Sequence, residues 1–131
     1  MKKFFLMATM LLTFGFVNAQ KVANVESGGR LKICDLDSYN NTTNCKTIES
    51  SGVAVANVGN SKIAIVYNTG KLKVCDLDRY NNTTNCKTIE SSGVSNAQMS
   101  GDQRIIITYD NGKKKACEID SYNNTTNCKT L

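Results

Sequence analysis

The sequence predicts an all-β fold of three disulfide-linked, antiparallel, four-stranded repeats, the first of them incomplete. Three observations carry that expectation. One segment recurs three times, each copy brings two cysteines, and short β-branched runs alternate with Gly/Asn-rich turns. Cys34–Val53 reads CDLDSYNNTTNCKTIESSGV, and Cys75–Val94 differs from it only by Arg79 in place of Ser38. Cys117–Leu131 reads CEIDSYNNTTNCKTL. The period is roughly 41 residues. Identity this high marks an internal duplication and says nothing by itself about selection for function.

Taken from the start, Met1-Lys2-Lys3 precedes an apolar run from Phe4 to Val17, followed by Asn18-Ala19-Gln20. That pattern predicts a signal peptide over residues 1–19, with Val17 and Ala19 at the −3 and −1 positions of the cleavage site. The run is shorter than the roughly 20 apolar residues a membrane-spanning helix needs. The first cysteine is Cys34, so no lipid anchor is expected at the cleavage site. Residues 20–131 then form a single domain with repeats at about 20–52, 53–93 and 94–131. The expected location is outside the cytoplasm: periplasm, cell surface or medium.

The second repeat parses most clearly. Val53–Val58 is a first strand and Gly59-Asn60-Ser61 a turn; Lys62–Tyr67 (KIAIVY) is a second strand. Asn68-Thr69-Gly70 turns into Lys71–Leu77, a loop at Arg79–Asn82 leads to Asn85–Glu90, and Ser91-Ser92-Gly93 closes the unit. The third repeat follows suit, with Arg104–Tyr109 and the turn Asp110-Asn111-Gly112. The first lacks its opening strand and begins near Lys21–Val25. About eleven strands and essentially no helix result.

Six cysteines in a small chain with a leader read as a disulfide framework. The repetition favours Cys34–Cys45, Cys75–Cys86 and Cys117–Cys128 among the formal alternatives. An even number of intervening residues lets each pair face each other in an unbulged hairpin with a four-residue loop, Ser38–Asn41 in the first copy. Each bridge closes a short loop and contributes about 2–4 kcal/mol. The same register sets Arg30 opposite Glu49 and Lys71 opposite Glu90. Core candidates are Leu31, Ile33, Ile48, Ile63, Ile65, Val66, Leu72, Val74, Ile89, Ile105, Ile106 and Ile107.

Four antiparallel strands in a unit of this length resemble a β-propeller blade. The resemblance rests on strand count and period; the Gly-His and Trp-Asp signatures of the WD-type family are absent. Three blades, one incomplete, fall short of the usual closed ring of four to eight. Either further chains complete a ring, or the repeats form an open β-meander.

Composition excludes several chemistries. The chain has no histidine, so Ser-His-Asp and Cys-His catalysis and the commonest zinc and copper sites are out of reach. Oxidised cysteines are not nucleophiles. Removal of Lys2 and Lys3 with the leader lowers the net charge from +5 to +3, and the one basic run, Lys113-Lys114-Lys115, alternates between strand faces. No nucleic-acid partner is expected. Asp35-Leu36-Asp37 and its copies place tyrosine, not Asp or Asn, at the fifth position of an EF-hand-type loop, with no glycine after it. No metal or cofactor is expected, and these carboxylates are expected to border a hairpin in solvent.

The most repeated surface feature is the loop Tyr-Asn-Asn-Thr-Thr-Asn. Its candidate ligand-binding residues are Tyr39, Asn40, Asn41, Tyr80, Asn81, Asn82, Tyr122, Asn123 and Asn124. An aromatic ring with adjacent amides suits a sugar: the ring stacks on the pyranose and the amides pair with vicinal hydroxyls. The competing reading is turn chemistry, with Asn tolerating left-handed backbone and Tyr packed over the disulfide. The N-x-Thr sequons in these loops are not read as glycosylation sites, because the leader looks bacterial. The leading expectation is an exported, non-catalytic binding module for glycans or another repeated surface ligand. The alternative is an assembly protein whose repeats pair edge to edge or complete a ring with a partner chain.

Overall fold

The computed structural model describes residues 20–131; the leader expected over residues 1–19 lies outside them. Eleven strands and no helix are present in that span. They are β1 (Gln20–Val25), β2 (Leu31–Leu36), β3 (Thr42–Glu49), β4 (Val53–Val58), β5 (Lys62–Tyr67), β6 (Leu72–Leu77), β7 (Thr83–Glu90), β8 (Val94–Ser100), β9 (Arg104–Tyr109), β10 (Lys114–Ile119) and β11 (Thr125–Thr130). Consecutive strands pair antiparallel into three open sheets, β1-β2-β3, β4-β5-β6-β7 and β8-β9-β10-β11. Among the described residues the first sheet has no counterpart of β4 and β8, as expected from the incomplete first repeat.

The sheets stack face to face, and β5 shows why. Its run Ile63-Ala64-Ile65-Val66 is buried throughout, because alternate side chains serve two different cores. Ile63 and Ile65 join Leu31 and Ile33 of the first sheet, while Ala64 and Val66 join Ile105 and Ile107 of the third. The middle sheet is therefore covered on both sides. Ile106, expected in the core, lies on the outer face of the third sheet and is half-buried; Ile48 and Ile89 sit at the core margins.

The disulfides are Cys34–Cys45, Cys75–Cys86 and Cys117–Cys128, with no free cysteine, a set that suits an oxidising environment. The hairpins that carry them are bulged, contrary to the expected register. Asp35 pairs with Thr43 and Leu36 with Thr42, whereas Ile33 pairs with Lys46. The loop thus has five residues, Asp37–Asn41, and Asn44 is the extra strand residue that brings Cys45 opposite Cys34. Asn44 takes a left-handed φ of 54°, which asparagine tolerates. The loop closes on Asp37, whose carboxylate accepts the backbone N–H groups of Tyr39 and Asn41 at 2.9 Å each.

A second shift sets Leu31 and Leu72 opposite Glu49 and Glu90. The expected Arg30–Glu49 and Lys71–Glu90 pairings are therefore not formed. Arg30 donates to Glu26 at 2.7 Å, while the Tyr67 hydroxyl donates to Glu49 and the Tyr109 hydroxyl to Glu90, at 2.5 and 2.6 Å. Each glutamate thereby ties one repeat to the next. No helix among the described residues is long and apolar enough to cross a membrane.

Candidate functional site

The three Tyr-Asn-Asn-Thr-Thr-Asn loops share one conformation. Asn40, Asn81 and Asn123 have φ of 65°, 66° and 66°, and the Asp that opens each loop accepts the same two backbone N–H groups. The stacking of the sheets sets the loops side by side, and Lys46 of the first repeat reaches Asn82 in the loop of the second.

Within each loop the side chains divide by direction. Tyr39, Tyr80 and Tyr122 are 83%, 58% and 67% exposed, so the rings face solvent and do not pack over the disulfides. Asn81 and Asn123 are fully buried, at 0%. Asn81 reaches back into the first repeat: its Oδ1 accepts from Lys21 Nζ at 2.6 Å, and its Nδ2 donates to Asp35 at 3.2 Å and to the Asn44 carbonyl at 2.9 Å. Asn123 repeats this with Lys62, Asp76 and the Asn85 carbonyl. Lys21–Asp35 and Lys62–Asp76 are themselves ion pairs at 3.0 and 2.7 Å. These two asparagines join repeats and are not open to a ligand. Asn40, in the first loop, meets no earlier repeat among the described residues and is exposed.

The second asparagines lie nearer the surface. Lys46 donates to Asn82 at 2.7 Å and Lys87 to Asn124 at 3.4 Å, while Asn41 is exposed. Arg79, at the one position where the first two copies differ, holds its guanidinium 5.7 Å from the Tyr80 ring centre. A cleft lined by Lys21, Asp35, Asn60, Ser61 and Arg79 opens beside it.

The carboxylates of each Asp-Leu-Asp serve separate purposes. Burial opposes ionisation of Asp35, but hydrogen bonds from Lys21, Asn44 and Asn81 outweigh it and hold its pKa below the ordinary aspartate value. Asp76 is lowered in the same way, by Lys62, Asn123 and Asn85 against burial. Asp35 and Asp76 are thus parts of the repeat junctions, not solvated hairpin borders. Asp78 and Asp120 are lowered chiefly by the backbone N–H groups of Asn82 and Asn124.

Sequence reasoning missed these lysines. Lys21, Lys62 and Arg104 recur at one position of each repeat, and that recurrence was the available signal. No protein-family model and no curated protein matches this chain.

Proposed function

We propose that this chain is an exported, non-catalytic binding module that recognises glycans or another repeated surface polymer through the tyrosine loops. The observation that carries the reading is the threefold exposure of Tyr39, Tyr80 and Tyr122 on equivalent loops. Exposed rings attached to stiff, internally hydrogen-bonded turns lose little freedom on binding, and each offers an apolar face with a polar tip. Asn41, Asn82 and Asn124 stand beside the rings as amide partners for hydroxyl groups. Three weak contacts at regular spacing gain from multivalency when the ligand repeats.

The β-propeller resemblance enters here as an arrangement of blades. The sheets approach each other most closely through β1, β4, β5 and β8, the strands nearest the start of each repeat. Small side chains support that approach, with Ala56 and Ala97 on β4 and β8. Sheets that converge on one edge and splay at the other form a fan, with the tyrosine loops joining each third strand to its splayed fourth.

The test is a binding screen against cell-surface polysaccharides with the oxidised protein beside its Tyr39→Ala/Tyr80→Ala/Tyr122→Ala variant. Binding that the folded variant loses supports the reading. Absence of binding by the wild-type protein, or binding that the variant keeps, removes the loops from that role.

A further inference from the structure

We infer that the outer face of the β8–β11 sheet takes the outer face of the β1–β3 sheet of a second copy of this chain, head to tail. The internal junction supplies the pattern, because it is built twice from the same parts. Lys62, Asp76 and the Asn85 carbonyl hold Asn123, as Lys21, Asp35 and the Asn44 carbonyl hold Asn81. The corresponding residues of the third repeat are Arg104, Glu118 and Asn127. They line an open pocket of about 560 Å³, with Ala116 and Leu131 supplying its apolar part. At the other end of the stack, Asn40 has the same left-handed backbone as Asn81 and Asn123 but is exposed. One end therefore carries a socket and the other the side chain that such a socket holds.

The backbone repeats the complementarity. A Cβ on Gly70 would stand 2.6 Å from the Gly93 nitrogen, because this turn packs on the segment that leads into the next repeat. Gly112 occupies the same place in the third repeat with nothing within 4 Å of that position. The outer face of the first sheet also keeps part of the apolar set: Val22 and Leu36 stand where the middle sheet has Ile63 and Leu77.

The terminal faces are nevertheless less apolar than the internal ones. Lys114, Ala116, Thr108 and Asn96 stand in the places of Leu72, Val74, Val66 and Val55, and Asn24 and Glu26 in those of Ile65 and Tyr67. The association is accordingly reversible and concentration-dependent. A head-to-tail contact of this kind closes into a ring or extends as a filament according to its rotation.

Sedimentation of the oxidised protein over a wide concentration range tests this, together with Asn40→Asp and Arg104→Glu. Asn40→Asp keeps a residue that tolerates left-handed backbone and sets a carboxylate against Glu118. Neither side chain has a hydrogen-bond partner among the described residues, so both variants should fold, which their melting curves verify. The wild-type mass should rise with concentration, and each variant alone should remain monomeric. An equimolar mixture of the two should stop at dimers, since each variant retains one intact end. A wild-type protein that stays monomeric up to about 1 mM overturns the inference and makes these replacements end caps. Assembly unaffected by the variants, or variants that fail to complement, overturns it equally.

Discussion

Lys62 Nζ donates to Asn123 Oδ1 at 2.5 Å across 61 residues of sequence, and the same amide donates to Asp76, the ion-pair partner of that lysine. A side chain from the loop of one repeat thus completes a charge pair in the repeat before it. Lys21, Asp35 and Asn81 make the same arrangement one repeat earlier. The apolar cores bring the sheets together, and these triads fix how far one sheet slides on the next. A sliding repeat would leave part-buried charges without partners.

Glycines in the hairpin turns should differ in cost according to the repeat that follows. Gly70→Ala places a Cβ against the Gly93 backbone nitrogen and also strains a φ of 85°. Gly112→Ala incurs only the strain, at the same φ. Denaturant unfolding should show a loss of about 1–2 kcal/mol for Gly112→Ala and a clearly larger one for Gly70→Ala. Equal losses would mean that the turn does not pack on its neighbour.

Acid should weaken the junctions. The folded-state pKa values of Asp35 and Asp76 lie below the ordinary one. The stability they contribute is complete above the ordinary aspartate pKa of about 3.9. It is lost as pH falls through the lowered folded-state values. Thermal melts should therefore be insensitive to these groups between about pH 7 and 5 and fall progressively below about pH 4. Asp35→Asn/Asp76→Asn should melt lower near neutrality and show a shallower acid decline. Part of the decline should remain, because Asp78 and Asp120 are lowered in the same direction.

Two classes of tyrosine should separate by stability. Tyr39, Tyr80 and Tyr122 are exposed, so single Ala replacements should shift unfolding by no more than about 0.5 kcal/mol. The Tyr109 hydroxyl joins Glu90 of the preceding repeat, and Tyr109→Phe should cost about 1 kcal/mol. Urea titration of the four variants decides this. A large cost for an exposed tyrosine would return it to a packing role.

Much of the fold was legible in the sequence. Strand β5 announced itself by four consecutive apolar residues, and the Gly- and Asn-rich turns marked where neighbouring strands end. The cysteine pairing followed from the repetition. The bulge did not, because a four-residue loop without a bulge and a five-residue loop with one both set Cys45 opposite Cys34. The Asp37 turn and the left-handed Asn44 choose between them, and both are local conformations that the residue count leaves open. The loop asparagines show a deeper limit. Asn40, Asn81 and Asn123 occupy near-identical segments, yet two are buried and one is exposed, since only stacking determines which has a neighbour to enter.

That difference allows the most direct test of the claim that these loops turn asparagine inward, to join repeats, and tyrosine outward. Asn40→Ala, Asn81→Ala and Asn123→Ala make the same chemical change at the same backbone conformation. Equilibrium unfolding should show a loss of about 1–2 kcal/mol for Asn40→Ala, from left-handed strain alone. Asn81→Ala and Asn123→Ala should each lose about 2–4 kcal/mol more, as three hydrogen bonds to a part-buried ion pair and a carbonyl disappear. Equal losses at all three positions would contradict the account, because the junction would then contribute nothing that the isolated loop does not.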